Sequence, residues 1–130
     1  MPRPRLIAVV DDDVSVRESL PDLLSTHGFS TTAFASARAF LDSATLEETD
    51  CLILDITMPE MTGSELVAEL RRRRKEIPIV FITAHANEEI RLAMLGQGAV
   101  ACLRKPFTEE TLMDALRKAI PESSPDGRGR

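Results

Sequence analysis

The sequence predicts an α/β domain in which one sheet of five parallel strands carries helices on both faces. Three observations predict it. Short apolar runs alternate strictly with segments of helical spacing along the chain. The runs "LIAVV", "CLILDI" and "IPIVFIT" are apolar throughout rather than at every second residue, as strands covered on both faces require. A length of 130 residues suits one domain, so all the elements must share one architecture.

The first strand, Leu6–Val10, runs into three aspartates. In "VSVRESLPDLLSTHG", Val16, Leu20, Leu23 and Leu24 recur at helical spacing, and Gly28 ends the helix. Pro21 lies inside it, where a proline removes a backbone hydrogen bond and kinks the axis, at about 3 kcal/mol in an unadapted helix. "FSTTAFA" is shorter and more polar, which suits an edge strand. "SARAFLDSA" reads as a helix capped by Ser36. "CLILDI" is the second strongly buried strand, followed by the loop "MPEMTG" and the helix "SELVAELRRRRKE", with Leu66, Val67 and Leu70 on one face. "IPIVFIT" is the third buried strand, and "EEIRLAMLGQG" a helix ended by glycine. "AVACLRKPF" is a strand running into a Lys-Pro turn. "TEETLMDALRKAI" closes the domain, with Thr108 as N-cap and Glu109 and Glu110 in the first turn. The domain is expected over 1–120. The stretch 121–130, "PESSPDGRGR", has no apolar pattern and reads as a flexible tail or the start of a linker.

Composition narrows the function. Apolar residues make up 43% and charged residues 28%, a globular balance that argues against disorder and fibre. With no Trp or Tyr and five Phe, the core must be largely aliphatic. A net charge of −5 disfavours non-specific nucleic-acid binding, which requires a basic face. The N-terminal apolar stretch is too short for a signal peptide, and no run approaches a membrane span. Cys51 and Cys102 sit in apolar runs and read as small buried residues of a reducing compartment, so the expected location is the cytoplasm.

In a parallel sheet the carboxyl ends of all strands share one edge, and ligands bind there. Asp11, Asp12 and Asp13 follow the first strand, Asp55 ends the third, Thr83 the fourth, and Lys105 follows the fifth. Several carboxylates in one pocket must take up protons or a cation. Oxygen ligands without His or Cys select a hard ion, and two or three carboxylates suit Mg²⁺. Such an ion beside a lysine and a threonine hydroxyl makes a receptacle for a phosphoryl group. Asp55 is the natural nucleophile, forming an aspartyl-phosphate, because it stands alone on a central strand.

Neighbouring residues have plainer readings. Asp13 is an N-cap rather than a ligand. "RRRRK" closes a helix, where cations complement the dipole, and reads as a solvated helix end rather than a nucleic-acid patch. His27 is a helix-end residue, and His85, two residues past Thr83, borders the site. Met58 and Met61 read as packing.

The motifs "VVDDD", "LILDITMPEMTG", "VFITAHA" and "LRKPF", in this order and spacing, resemble the receiver domain of two-component response regulators. The likeness spans about residues 5–120 and is most similar to the FixJ-type transcriptional regulators. It implies a flavodoxin-like fold with strand order 2-1-3-4-5. It further implies that Asp55 is the phosphoacceptor, and that Asp11, Asp12, Asp55 and the backbone carbonyl of Thr57 hold Mg²⁺, for which Mn²⁺ can substitute. Thr83 and Lys105 would bind the phosphoryl group, Ala84 and His85 would border it, and Lys105–Pro106 would be a cis peptide. The implied partner is a sensor histidine kinase. A homodimer would use the face of the fourth helix, fifth strand and fifth helix, and DNA would be reached only through an output domain outside this chain. Enzymatic activity would be limited to phosphorylation and dephosphorylation of Asp55 itself.

Two features depart from the family. The switch position usually held by Tyr or Phe is Cys102, and Pro21 interrupts a helix that receivers often offer to the kinase. Two other readings compete: a non-phosphorylated pseudo-receiver, and an aspartate-nucleophile phosphatase of the haloacid dehalogenase kind. The second wants an acid two residues after the nucleophile, where this chain has Thr57.

Overall fold

The computed structural model describes residues 4–85 and 87–120; the stretch expected to be a tail, 121–130, lies outside the described residues. The strands are β1 (Leu6–Val10), β2 (Ser30–Phe34), β3 (Cys51–Asp55), β4 (Ile79–Thr83) and β5 (Ala101–Arg104). The helices are α1 (Val14–Thr26), α2 (Ala37–Leu41), α3 (Gly63–Arg72), α4 (Glu88–Gly96) and α5 (Glu109–Ala119). The five strands form one parallel sheet in the order β2-β1-β3-β4-β5, the architecture that the alternation predicted. The order reverses between β1 and β3, so a crevice opens at their carboxyl ends.

Period-two alternation of the strands sends their side chains into two cores. Ile7, Val9, Ile53, Val80 and Ile82 face α1 and α5, packing with Leu24, Leu112 and Leu116. Ala8, Val10, Leu54 and Phe81 face α2, α3 and α4, packing with Phe40, Leu66 and Met94. Register aligns Phe34, Val10, Leu54, Phe81 and Cys102 as one row across all five strands on this second side. β1, β3 and β4 are buried along their whole length, which is why they lack polar residues until their final positions. β2 alternates between exposed and partly buried residues, as an edge strand should.

The helices start where short polar side chains satisfy their free amides. Asp13 accepts from Ser15 N, Ser36 from Ala39 N and Thr108 from Thr111 N, all three as expected. α3 begins with a capping box in which Thr62 and Glu65 exchange hydrogen bonds. α1 runs unbroken through Pro21. Its chain then turns at Gly28, whose φ of +87° suits a residue without a Cβ. A short 3₁₀ turn, Leu46–Glu48, was not expected from the sequence.

One burial expectation needs correcting. Cys51 is fully buried, but Cys102 is only partly so, because β5 is the outer strand and, among the described residues, no strand pairs beyond it. Both cysteines are free thiols. Among the described residues no helix is long and apolar enough to cross a membrane.

Candidate functional site

β1, β3, β4 and β5 each deliver a polar side chain to the carboxyl edge of the sheet. Asp11 directly follows β1, Asp55 and Thr83 end β3 and β4, and Lys105 directly follows β5. Asp11, Asp55 and Thr83 are the buried polar residues of the described chain, while Asp12 is exposed beside them. One oxygen from each of Asp11, Asp12 and Asp55 lies within 4.8 Å of the others. Lys105 Nζ reaches into this cluster, 2.8 Å from Asp11 Oδ2 and 3.8 Å from Asp55 Oδ2.

The polar atoms are anchored by backbone. Asp11 Oδ1 accepts from Asp13 N at 2.9 Å, and Asp55 Oδ1 from Thr57 N at 3.2 Å. Thr83 Oγ1 accepts from His85 N at 3.2 Å, which places the exposed residues Ala84 and His85 at the mouth. Thr57 is exposed at the mouth as well. The Lys105–Pro106 peptide is cis.

Asp11 Oδ2 is fully buried, and its contact with Lys105 is an ion pair poorly angled for a hydrogen bond. The atom is thus left without an aimed donor. Burial costs the charged form of Asp55 most, and the Asp11 charge adds to that. Lys105 and the Thr57 amide oppose both, but the Asp55 pKa is still pushed up to about 7. Burial also works against the Lys105 ammonium, yet its short contact with Asp11 and the Asp11 and Asp55 charges outweigh it, holding the pKa above its ordinary value. A cluster of three carboxylates with one orphaned oxygen fits a hard divalent cation, which would satisfy that oxygen and favour an ionised Asp55.

The profile of the response regulator receiver domain matches residues 7–117. The chain belongs to this family. This receiver domain is 38% identical over 118 residues to the response regulator protein TodT of Pseudomonas putida, covering 91% of this chain and 52% of TodT. It is 40% identical over 111 residues to nodulation protein W of Bradyrhizobium diazoefficiens, covering 85% of this chain and 49% of that protein. The receiver therefore spans about half the length of these relatives. Among solved structures, response regulator StyR superposes with a TM-score of 0.83 at 40% identity, over 99% of this chain and 65% of StyR. FixJ-N superposes with a TM-score of 0.78 at 32% identity, over 91% of this chain and 94% of FixJ-N. Receiver domains bind Mg²⁺ at an acidic pocket, and this chain carries a cluster of three aspartates at the carboxyl edge of its sheet.

Two residues of the receiver site escape pattern reading. Arg17 donates from its guanidinium to the Asp11 backbone carbonyl at 3.0 Å, tying the loop that carries Asp11 to α1. Gly63, the first residue of α3, packs where a Cβ would stand 2.8 Å from the Asp55 carbonyl oxygen and 2.9 Å from Phe81 Cε1. The signals were a basic residue six positions after the aspartate and a glycine directly behind a threonine N-cap. Neither is distinctive without the contact.

Proposed function

We propose that this receiver is a phosphorylation-dependent switch whose phosphoacceptor is Asp55. A carboxylate oxygen of Asp55 attacks phosphorus on a phosphohistidine of a sensor kinase, and the N–P bond breaks with its electron pair returning to the imidazole. Mg²⁺, or Mn²⁺ in its place, would be held by Asp11, Asp12, Asp55 and the Thr57 carbonyl, and would supply positive charge against the phosphoryl oxygens. Lys105 pairs with the phosphoryl group, Thr83 donates its hydroxyl to it, and Ala84 and His85 border it. The observation that carries the reading is the joint arrival of Asp11, Asp55, Thr83 and Lys105 at one sheet edge, with the cation between the two buried carboxylates.

The phosphoryl group would change the output through Thr83 and the α4, β5 and α5 face, where Leu92 is 55% exposed and available to a second copy. Cys102 stands in that face where an aromatic switch residue is usual, so the signal would pass through Thr83 and the loop after β4. DNA would be reached only through an output domain joined beyond residue 120, and the setting is the cytoplasm.

The test is intact-mass measurement after incubation with acetyl phosphate and Mg²⁺. Wild type gains one phosphoryl group and Asp55→Asn does not. An unmodified wild type overturns the reading.

A further inference from the structure

Residues 11–13 leave β1 and enter α1, and the two outer aspartates are held by other atoms. Asp11 N donates to the Phe34 carbonyl at the end of β2, at 3.1 Å. Asp13 N donates to Asp11 Oδ1 at 2.9 Å, and the Asp13 side chain caps α1. Asp12, between them, is different. It is exposed, and among the described residues it makes no hydrogen bond or ion pair of its own. Yet one of its oxygens lies within 4.8 Å of those of Asp11 and Asp55. Its aim is therefore set by the peptide planes on either side of it.

Arg17 acts on the first of those planes. It grips the run at two points: its amide donates to the Asp13 carbonyl at 3.2 Å, and its guanidinium to the Asp11 carbonyl at 3.0 Å. The second bond holds one end of the peptide between Asp11 and Asp12, and a planar peptide turns as a unit. A guanidinium placed for its charge would pair with a carboxylate. Arg17 is in no ion pair among the described residues, although three aspartates lie within six positions of it in the chain, and it spends its donor on a main-chain oxygen.

We infer that Arg17 is a positioning residue for the aspartate cluster. By holding the Asp11 carbonyl it orients the peptide so that Asp12 joins Asp11 and Asp55 around a divalent cation. The inference rests on the metal site of the proposed switch. Groups that orient ligands without touching the ion are worth about 10–100-fold in metal affinity. The sign of the effect separates positioning from charge. Arg17 is itself a cation near the cluster, so by Coulomb's law alone its removal would tighten the binding of another cation. Loss of positioning weakens that binding.

The test is calorimetric titration of Mg²⁺ into the 130-residue chain. Arg17→Met keeps the apolar stem and should bind Mg²⁺ about tenfold more weakly than wild type. Arg17→Lys, which keeps a donor, should recover most of that loss. In EDTA, the Asp12 and Asp13 amide resonances of Arg17→Met should shift and broaden while those of Leu6–Val10 hold, a readout that needs no metal. Arg17→Gln, read in the same way, decides the matter if Arg17→Met does not fold. Equal or tighter Mg²⁺ binding by Arg17→Met, unmoved Asp12 and Asp13 amides, or an Arg17→Lys no better than Arg17→Met overturns the inference. Each of these leaves the switch standing wherever wild type still takes a phosphoryl group from acetyl phosphate. A wild type that binds no Mg²⁺ overturns both.

Discussion

Lys105 Nζ sits 2.8 Å from Asp11 Oδ2 and 3.8 Å from Asp55 Oδ2, so the lysine leans on the carboxylate proposed as a metal ligand rather than on the proposed phosphoacceptor. Ammonium and divalent cation would compete for the same orphaned oxygen. Lys105→Met should therefore bind Mg²⁺ about tenfold tighter, one lost competing ion pair, while its phosphorylation by acetyl phosphate slows. Calorimetric titration of Mg²⁺ reads the first effect, and an affinity equal to or below wild type contradicts it.

The Asp55 pKa of about 7 makes stability depend on pH in the absence of metal. It lies above the ordinary value of 3.8, so between those limits the folded chain holds a proton that the unfolded chain has lost. Stability from this group is present in acid and declines as pH rises, by up to about 1.4 kcal/mol per pH unit. In EDTA, urea denaturation should show wild type weakening from about pH 4 to about pH 7 and levelling off above that. Asp55→Asn should lack that slope and exceed wild type by about 1–3 kcal/mol at the upper end. Parallel profiles for the two proteins would contradict the assignment.

Gly63 should not tolerate a methyl group. Its Cβ would meet the Asp55 carbonyl oxygen at 2.8 Å and the Ile56 Cα at 3.1 Å, and neither atom can move without moving Asp55. Gly63→Ala is expected to lose about 1–3 kcal/mol in urea denaturation and to label more slowly with acetyl phosphate. Adding Phe81→Leu relieves only the ring contact, so it should restore part of the stability and little of the labelling rate. Complete recovery of both would place the whole effect on the ring.

Pro21 leaves the Arg17 carbonyl without its helical donor in the middle of α1. Pro21→Ala should restore that bond and raise stability by about 1 kcal/mol or more in urea. An unchanged midpoint would show that the helix has fully adapted to the ring.

The element order was legible because buried parallel strands tolerate no polar residue before their ends. The same rule drew attention to Asp11, Asp55, Thr83 and Lys105. Other features were hidden for identifiable reasons. Asp11 and Asp12 look alike in "VVDDD", yet one is fully buried and the other exposed, since adjacent residues leaving a strand point to different sides. Arg17 and Gly63 act on backbone atoms of Asp11 and Asp55, contacts that depend on how a helix docks rather than on any residue pattern. Leu46–Glu48 lies in a mixed polar stretch that carries no helical period. Cys102 looked buried because its run is apolar, but an outer strand buries less than its sequence suggests.

The row Phe34, Val10, Leu54, Phe81 and Cys102 crosses the whole sheet and ends in a thiol. With neither indole nor phenol anywhere in the chain, the native protein is dark to the usual intrinsic fluorescence. A single tryptophan at position 102 would emit without background. Standing beside Phe81, two residues short of the strand end that carries Thr83, it would make the outer margin of this sheet visible in solution.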